Sequence, residues 1–426
     1  MRRRRKGWEL APEVSPRRAW AALVVLSSAA FAFITTELLP IGLLTHMAPD
    51  LDRSRSQVGL LVSGYAVVVV LASVPLARLT RRIPRRGLLG GTLALFAAAN
   101  LVAALASTYA VLAGARVVTA LAQALFWSIV SPAVTGLFSV VVRGRVVALF
   151  ATGAALAPVL GVPAGTWLGQ QAGWRAAFAV LAAVGAAIAA AVVALIPSYA
   201  PAAGGAARGT APHGRRFAML LVATAVGIGG FLTLQTYVTP LLLDVSGFTD
   251  AALAPLLFVS GVTGVIGTIL VGRTLDAHPI ASLMVPLSVG TAALLGLYAL
   301  GTLQPATVVL LAGVGFAYAA FGSAVQSRML QLAPGSTDIA SAGVSTAFNV
   351  GIAGGSMLGG ALLPGPGPRL LALVGGLLTL AALAVLAVDA RRHAVRRGPA
   401  AAAAASPALS WTEGDGTTAA ASRADR

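Results

Sequence analysis

The apolar positions of this chain follow neither the alternation of a half-buried strand nor the one-sided stripe of a surface helix. They run on in long, nearly unbroken stretches. The stretches cover Ala19 to Leu44, Val58 to Leu79, Leu88 to Ala106, Tyr109 to Leu137, Val147 to Gly169 and Ala176 to Ile196. They resume at Phe217 to Leu243, Ala251 to Val271, Ile280 to Leu300, Ala306 to Leu330, Ile339 to Leu363 and Leu370 to Val388. A membrane-crossing helix needs about 20 mostly apolar residues, so the pattern predicts an all-α integral membrane protein of twelve spans in two six-helix bundles. The break at 197–216, rich in Ala, Gly and Pro with Arg208, His213, Arg215 and Arg216, is too polar to span and too short to fold alone. The expected organisation is a basic N-terminus at 1–18, a bundle at 19–196, a linker at 197–216, a second bundle at 217–390 and a tail at 391–426. The tail, with its Ala400 to Ala405 run, reads as disordered.

Composition agrees. Of 426 residues, 58% are hydrophobic and only 10% charged, and the mean hydropathy is +0.87, outside the balance of soluble globular domains. The N-terminal "MRRRRKGWELAPEVSPRRAW" ahead of an apolar run resembles a secretory leader, but the run is too long and lacks a cleavage pattern. A retained first helix is expected.

A net charge of +17 would in a soluble protein suggest nucleic acid. Here the bases sit in alternate loops: Arg2 to Lys6, Arg17 and Arg18; Arg78, Arg81, Arg82, Arg85 and Arg86; Arg143 and Arg145; the central linker; Arg273; Arg328; and the tail. The opposite loops hold Arg53, Arg55, Arg175 and Arg369. By the positive-inside tendency both termini face the cytoplasm of a plasma-membrane protein, and the basicity marks topology rather than nucleic-acid binding. The absence of cysteine excludes thiolate nucleophiles and Cys-ligated metal. With four His and few acids, neither a metal nor a cofactor is expected, and no nucleophile and base constellation suggests an enzyme.

Segment five carries Gly161, Gly165 and Gly169, and segment eleven, its counterpart in the second half, carries Gly351, Gly355 and Gly359. Small residues four apart let another helix approach closely in lipid. Together with Pro158 and Pro163 they suggest a place where the bundle bends, although static packing would use the same stripe. Two parallel six-helix repeats are the layout of the major facilitator superfamily, whose halves rock about a central cavity.

Two charges lie deep in the spans: Glu37 in "FITTELLPIGLL" and Arg116 in "LAGARVVTALAQALFWSI". Glu37 stands about seven residues before the outer end of the first segment and Arg116 about seven after the outer start of the fourth, so at about 1.5 Å per residue their depths match. A lone charge there costs a few kcal/mol or more and needs a partner or a wet cavity. Pro40 cannot donate its backbone hydrogen bond, so it should kink the first helix and free a nearby carbonyl for Thr35, Thr36 or water. Two readings stand side by side: Glu37 exchanges a proton while Arg116 or a cationic substrate approaches it, or the two form a permanent ion pair that locks their helices.

Several stretches closely resemble the bacterial sugar-efflux branch of the drug:proton antiporter family-1: "TTELLPIGLL", "RVVTALAQALFWSI", "ATGAALAPVLGVPAGTWLGQQAGWRAAF", "VSGFTDAALAPLLFVSGVTGVIGTILVGR" and "APGSTDIASAGVSTAFNVGIAGGSMLGG". The resemblance runs from Ala19 to Ala390 and implies export of a small molecule against proton entry. It places Arg116 at the arginine associated with proton coupling and Pro158 to Gly165 at the antiporter motif. Two departures limit it. The loop "PLARLTRRIPRRG" lacks the acid that usually closes the cytoplasmic gate, leaving Arg81 and Arg82 for lipid headgroups or simple orientation, and Arg273 with Asp276 for a gate pair in the second half. Gln123 stands where the sugar-efflux pattern commonly has His, so substrate identity is not inherited.

The expected cavity set is Thr36, Tyr65, Gln123, Trp127, Gln235, Tyr237, Gln326 and Asn349, amides and rings suited to a neutral or amphipathic molecule such as a sugar-like metabolite or a drug. Arg175 is expected to cap a helix, Asp244 and Asp250 to be solvated, and Arg328 to snorkel. The expected partners are a small-molecule substrate, protons and the lipid bilayer, with the chain a monomer. Competing readings are a transporter working inward or without protons, and a non-transporting membrane receptor.

Overall fold

The computed structural model describes residues 15–404 apart from 81–82, 136, 139–142, 197–211, 276, 335–336 and 366. The first half holds α1 (Pro16–Asp50), α2 (Arg55–Thr80), α3 (Arg85–Ala104), α4 (Tyr109–Thr135), α5 (Arg143–Leu156), α6 (Val162–Ala172) and α7 (Trp174–Leu195). The second holds α8 (Gly214–Gln235), the single turn α9 (Val238–Pro240), α10 (Asp250–Gly272), α11 (Ala281–Leu300), α12 (Gln304–Leu332), α13 (Thr337–Leu362) and α14 (Pro368–Ala404). Among the described residues ten helices are long and apolar enough to cross a membrane by themselves. The other two of the twelve spans are glycine-rich α13 and the interrupted fifth span, α5 with α6. The last helix continues past the expected boundary at 390 to Ala404.

The fifth span is interrupted for a reason legible in its residues. Pro158 and Pro163 each withhold a backbone donor, and between them the helix widens to a π turn at Ala157–Gly161, closed by Val162 N–H on the Ala157 carbonyl. In the seventh span Pro240 plays the same part, and a π turn follows at Leu241–Val245. Here the two halves repeat: Thr36-Glu37-Leu38-Leu39-Pro40 of α1 corresponds to Thr236-Tyr237-Val238-Thr239-Pro240.

Both glycine stripes pack inside their own half. A side chain at Gly161, Gly165 or Gly169 would meet Thr35, Leu39 or Leu43 of α1, and one at Gly351, Gly355 or Gly359 would meet the α8 backbone. Equivalent spans are thus held by equivalent stripes. Two surface arginines repeat as well: Arg175 bonds the Ala106 carbonyl beyond α3 at 2.8 Å and 3.0 Å, and Arg369 bonds the Tyr298 and Ala299 carbonyls of α11. The helix-capping role expected of Arg175 holds, with an added ion pair to Asp50.

The contacts that join the halves run from mid-span to the end of the bundle away from the chain termini, here called the distal end. Tyr237 is fully buried and inserts between Gly59 of α2 and Gly359 and Gly360 of α13, with its hydroxyl donating to the Ser356 carbonyl at 3.1 Å. Gly261 of α10 lies against the backbone of Pro158 and Val159. Gln170 donates to the Asp250 carbonyl at 2.5 Å, Thr239 donates to the Ile41 carbonyl, and Arg55 pairs with Asp244. Asp244 is therefore not merely solvated; it latches one half to the other.

Because this latch is some 40% exposed on each side (39% and 41%), its worth is about 1 kcal/mol or less. The chain has no cysteine, so a thiol introduced at the buried Thr239 reports opening of the distal end. Asp244→Asn is expected to raise thiol labelling of Thr239→Cys by about fivefold or less, and the increment should shrink in high salt. A larger, salt-independent increment would show that the pair does more than screen-limited latching.

Candidate functional site

The deep charges meet at the interface of α1, α2, α3 and α4. Pro40 lies one helical turn beyond Thr36 and has no N–H to give it, so the Thr36 carbonyl lacks its helical donor. The Arg116 guanidinium fills that place: Nη1 donates to the Thr36 carbonyl and Nη2 to the Glu37 carbonyl, the latter at 2.9 Å. It also lies over the Tyr65 ring, 4.4 Å from the centroid, in a cation–π contact.

The Glu37 carboxylate turns the other way. Its Oε2 accepts from Gln123 Nε2 at 2.7 Å, and Gln123 Oε1 accepts from the Tyr65 hydroxyl at 2.8 Å. This chain of bonds permits one amide orientation, since a carboxylate only accepts and the phenol can donate. Arg116 and Gln123 are seven residues apart on α4, two turns along one face, so both reach α1. Thr36 adds a bond from its hydroxyl to Asn100 Oδ1 at 2.7 Å, and Asn100 anchors its own amide on the Phe96 carbonyl at 2.9 Å.

All six groups are buried: Thr36, Glu37, Tyr65, Asn100, Arg116 and Gln123. Of the two readings left open by the sequence, the permanent ion pair has no direct bond here. Base and acid are neighbours, but the base bonds the backbone and the acid bonds an amide. A backbone carbonyl freed by a proline, with the next carbonyl beside it, competes well for a guanidinium, because neither changes ionisation and the two match its fork.

Other expected cavity residues do not converge on this cluster. Trp127 packs edge-on against Phe126 and Phe150. Tyr237 is in the distal seal, Gln326 is exposed, and the Asn349 amide donates to Ser345 of its own helix. Gln235 is half-buried, with Oε1 lacking a hydrogen-bond partner among the described residues. A pocket of about 220 Å³ lies at the distal surface beside the latch, lined by Ser54, Arg55, Ser56, Asp244, Leu363, Pro364 and Pro368, away from the buried charges. Asn100 was missed by the sequence reading; a lone amide in an apolar run was its only signal.

The family model described as Major Facilitator Superfamily matches residues 25–337. The chain belongs to that superfamily. A curated relative, the probable sugar efflux transporter of Mannheimia succiniciproducens, is 32% identical over 359 residues, spanning 84% of this chain and 90% of the relative. Among solved structures, the chain is similar to a bacterial homolog of the human lysosomal transporter Spinster in an inward-facing, occupied conformation (TM-score 0.68, 16% identity, 88% of this chain and 97% of that one). It is also similar to the human organic anion transporter TETRAN (TM-score 0.62, 16% identity, 87% and 100%). At these identities the structures support the fold alone.

In this superfamily member the expected cytoplasmic gate is only partly visible. Arg81, Arg82 and Asp276 lie outside the described residues, and Arg273 is exposed at the C-cap of α10. Arg328, expected to snorkel, donates to Gln331 one turn nearer the end of α12.

Proposed function

We propose that this major facilitator transporter is a proton-coupled antiporter of the plasma membrane that exports a small neutral or amphipathic molecule, a sugar-like metabolite or a drug, by alternating access. The observation that carries the proton role is the Glu37 carboxylate, buried at membrane depth and bonded to the neutral amide of Gln123 instead of to a cation. A carboxyl held by an amide tolerates either ionisation state: charged, it accepts from Gln123; protonated, its second oxygen still accepts. A permanent ion pair would hold it charged. The efflux direction rests on the curated relative.

With both termini in the cytoplasm, as the basic loops favour, the distal seal is the outer gate and the molecule is closed to the outside. Alternating access then requires parting Tyr237 from Gly59 and Gly261 from Pro158. Pro40, Pro158, Pro163 and the π turns are the points where the spans bend, while the stripes Gly161, Gly165, Gly351 and Gly355 let α1 and α8 slide with their own bundles.

The test uses inverted membrane vesicles energised by a proton gradient and scanned with sugars, nucleosides and antibiotics. A compound that dissipates the gradient in vesicles holding the protein, and not in vesicles lacking it, is the expected result. Saturable transport of such a compound that ignores the gradient would sink the antiport reading and leave a facilitator.

A further inference from the structure

We propose that Pro40 is a positioning residue for Arg116: by leaving the Thr36 carbonyl without its helical donor, it docks the guanidinium on the α1 backbone and keeps it off the Glu37 carboxylate. The inference rests on the proton-coupling reading of Glu37 and names what makes that role possible.

In an unbroken helix the N–H of residue 40 would bond the carbonyl of residue 36. Proline removes that donor, and Arg116 Nη1 stands in its place, with Nη2 on the next carbonyl at 2.9 Å. The cation is thus held by acceptors whose charge never changes. Tyr65 supports it from below with its ring and keeps Gln123 facing Glu37 with its hydroxyl.

Among the described residues, the titratable or charged groups near Glu37 are Arg116 of α4, Tyr65 of α2 and, from the opposite half, Tyr318 of α12. Of these only Arg116 is a cation. Were it free to swing onto the carboxylate of the residue whose carbonyl it already bonds, the acid would stay ionised and the proton would lose its site. A proline four residues after Thr36 prevents this without a further side chain.

The test uses the full-length protein with Thr239→Cys as its single thiol, and needs no substrate. Pro40→Ala restores an N–H that satisfies the Thr36 carbonyl and breaks the two-point dock, leaving the guanidinium the Glu37 carbonyl alone. Pro75→Ala, in α2 and outside the cluster, controls for removal of a helical proline.

In the first arm, melting temperatures of Pro40→Ala, Arg116→Gln and the double variant form a cycle. The combined loss is expected to fall short of the sum, because each change breaks the same dock. Strict additivity would overturn the proposal.

In the second arm, labelling at position 239 is followed against pH. Pro40→Ala is expected to move the midpoint by about one unit or more toward acid, the usual effect of a cation on an adjacent carboxylate, while Pro75→Ala leaves it in place. A parental midpoint retained in Pro40→Ala would overturn the proposal. A parent with no pH dependence and a non-additive cycle would keep the docking and overturn the coupling it serves; a flat parent with additive losses would overturn both.

Discussion

Glu37→Gln is expected to abolish gradient-driven transport while leaving the fold and substrate exchange intact. The replacement keeps the length of the side chain, and its amide oxygen still accepts from Gln123, so the bond measured at 2.7 Å survives. Arg116 stays where it is, because its acceptors are the Thr36 and Glu37 backbone carbonyls. Only the exchangeable proton is lost. One proton per substrate against one pH unit supports about tenfold accumulation, from about 1.4 kcal/mol, and the variant should fall to no accumulation at all. Counterflow of labelled against unlabelled substrate should persist within about twofold, since exchange without net proton movement asks nothing of the carboxyl. Retained accumulation with an unchanged pH profile in the energised vesicles would show that the proton travels elsewhere.

The second large effect is expected from Gly261→Leu. A β-carbon at this position would stand 2.6 Å from both the Pro158 oxygen and the Val159 Cα. Those are backbone atoms of a π turn and cannot move aside as a flexible side chain would. Overpacking of a tight contact costs about 1–3 kcal/mol even with some relaxation. Because the contact joins the halves rather than elements within a half, the cost falls on the distally closed state and not on the fold of either bundle. The equilibrium should move toward the distally open state by about five- to 150-fold. Labelling of Thr239→Cys reads this directly, and transport should slow because the closed state is visited less often. Gly165→Ala is the instructive contrast: its neighbour is the end of the Leu39 side chain, inside the first half, so it should lower the melting temperature with little change in labelling. If Gly261→Leu melts early but labels like the parent, the seal is not where the conformational equilibrium is set.

Much of this molecule could be read from the chain because lipid is an unforgiving solvent. It demands spans of fixed length and apolar character, so the segments, the break between halves and the isolation of Glu37 and Arg116 are all visible in one dimension. The paired glycine stripes were visible too, and they lie in equivalent spans as expected. The repeat of Thr36 to Pro40 in Thr236 to Pro240 was equally available, but Glu37 and Tyr237 differ so much in chemistry that the match hides behind the residues that matter most. Tyr237 itself shows the limit: an aromatic next to amides reads as a cavity wall, whereas in the fold it fills the gap between α2 and α13.

The sequence by itself determined the solvent of each helix, the twofold repeat and that two charges lie inside the spans, since these follow from spacing and transfer cost alone; the depth of Glu37 it misjudged, because α1 runs on to Asp50 instead of ending at Leu44. Only the tertiary structure decided which acceptor each charge takes, that the glycine stripes clamp α1 and α8 within their own halves, and that the bundle is sealed at the distal end. Those outcomes depend on the rotation of each helix about its axis and on a few ångströms of separation between helices. Spacing along a nearly uniform apolar run fixes neither quantity, because almost every face of such a helix is equally at home against lipid or protein.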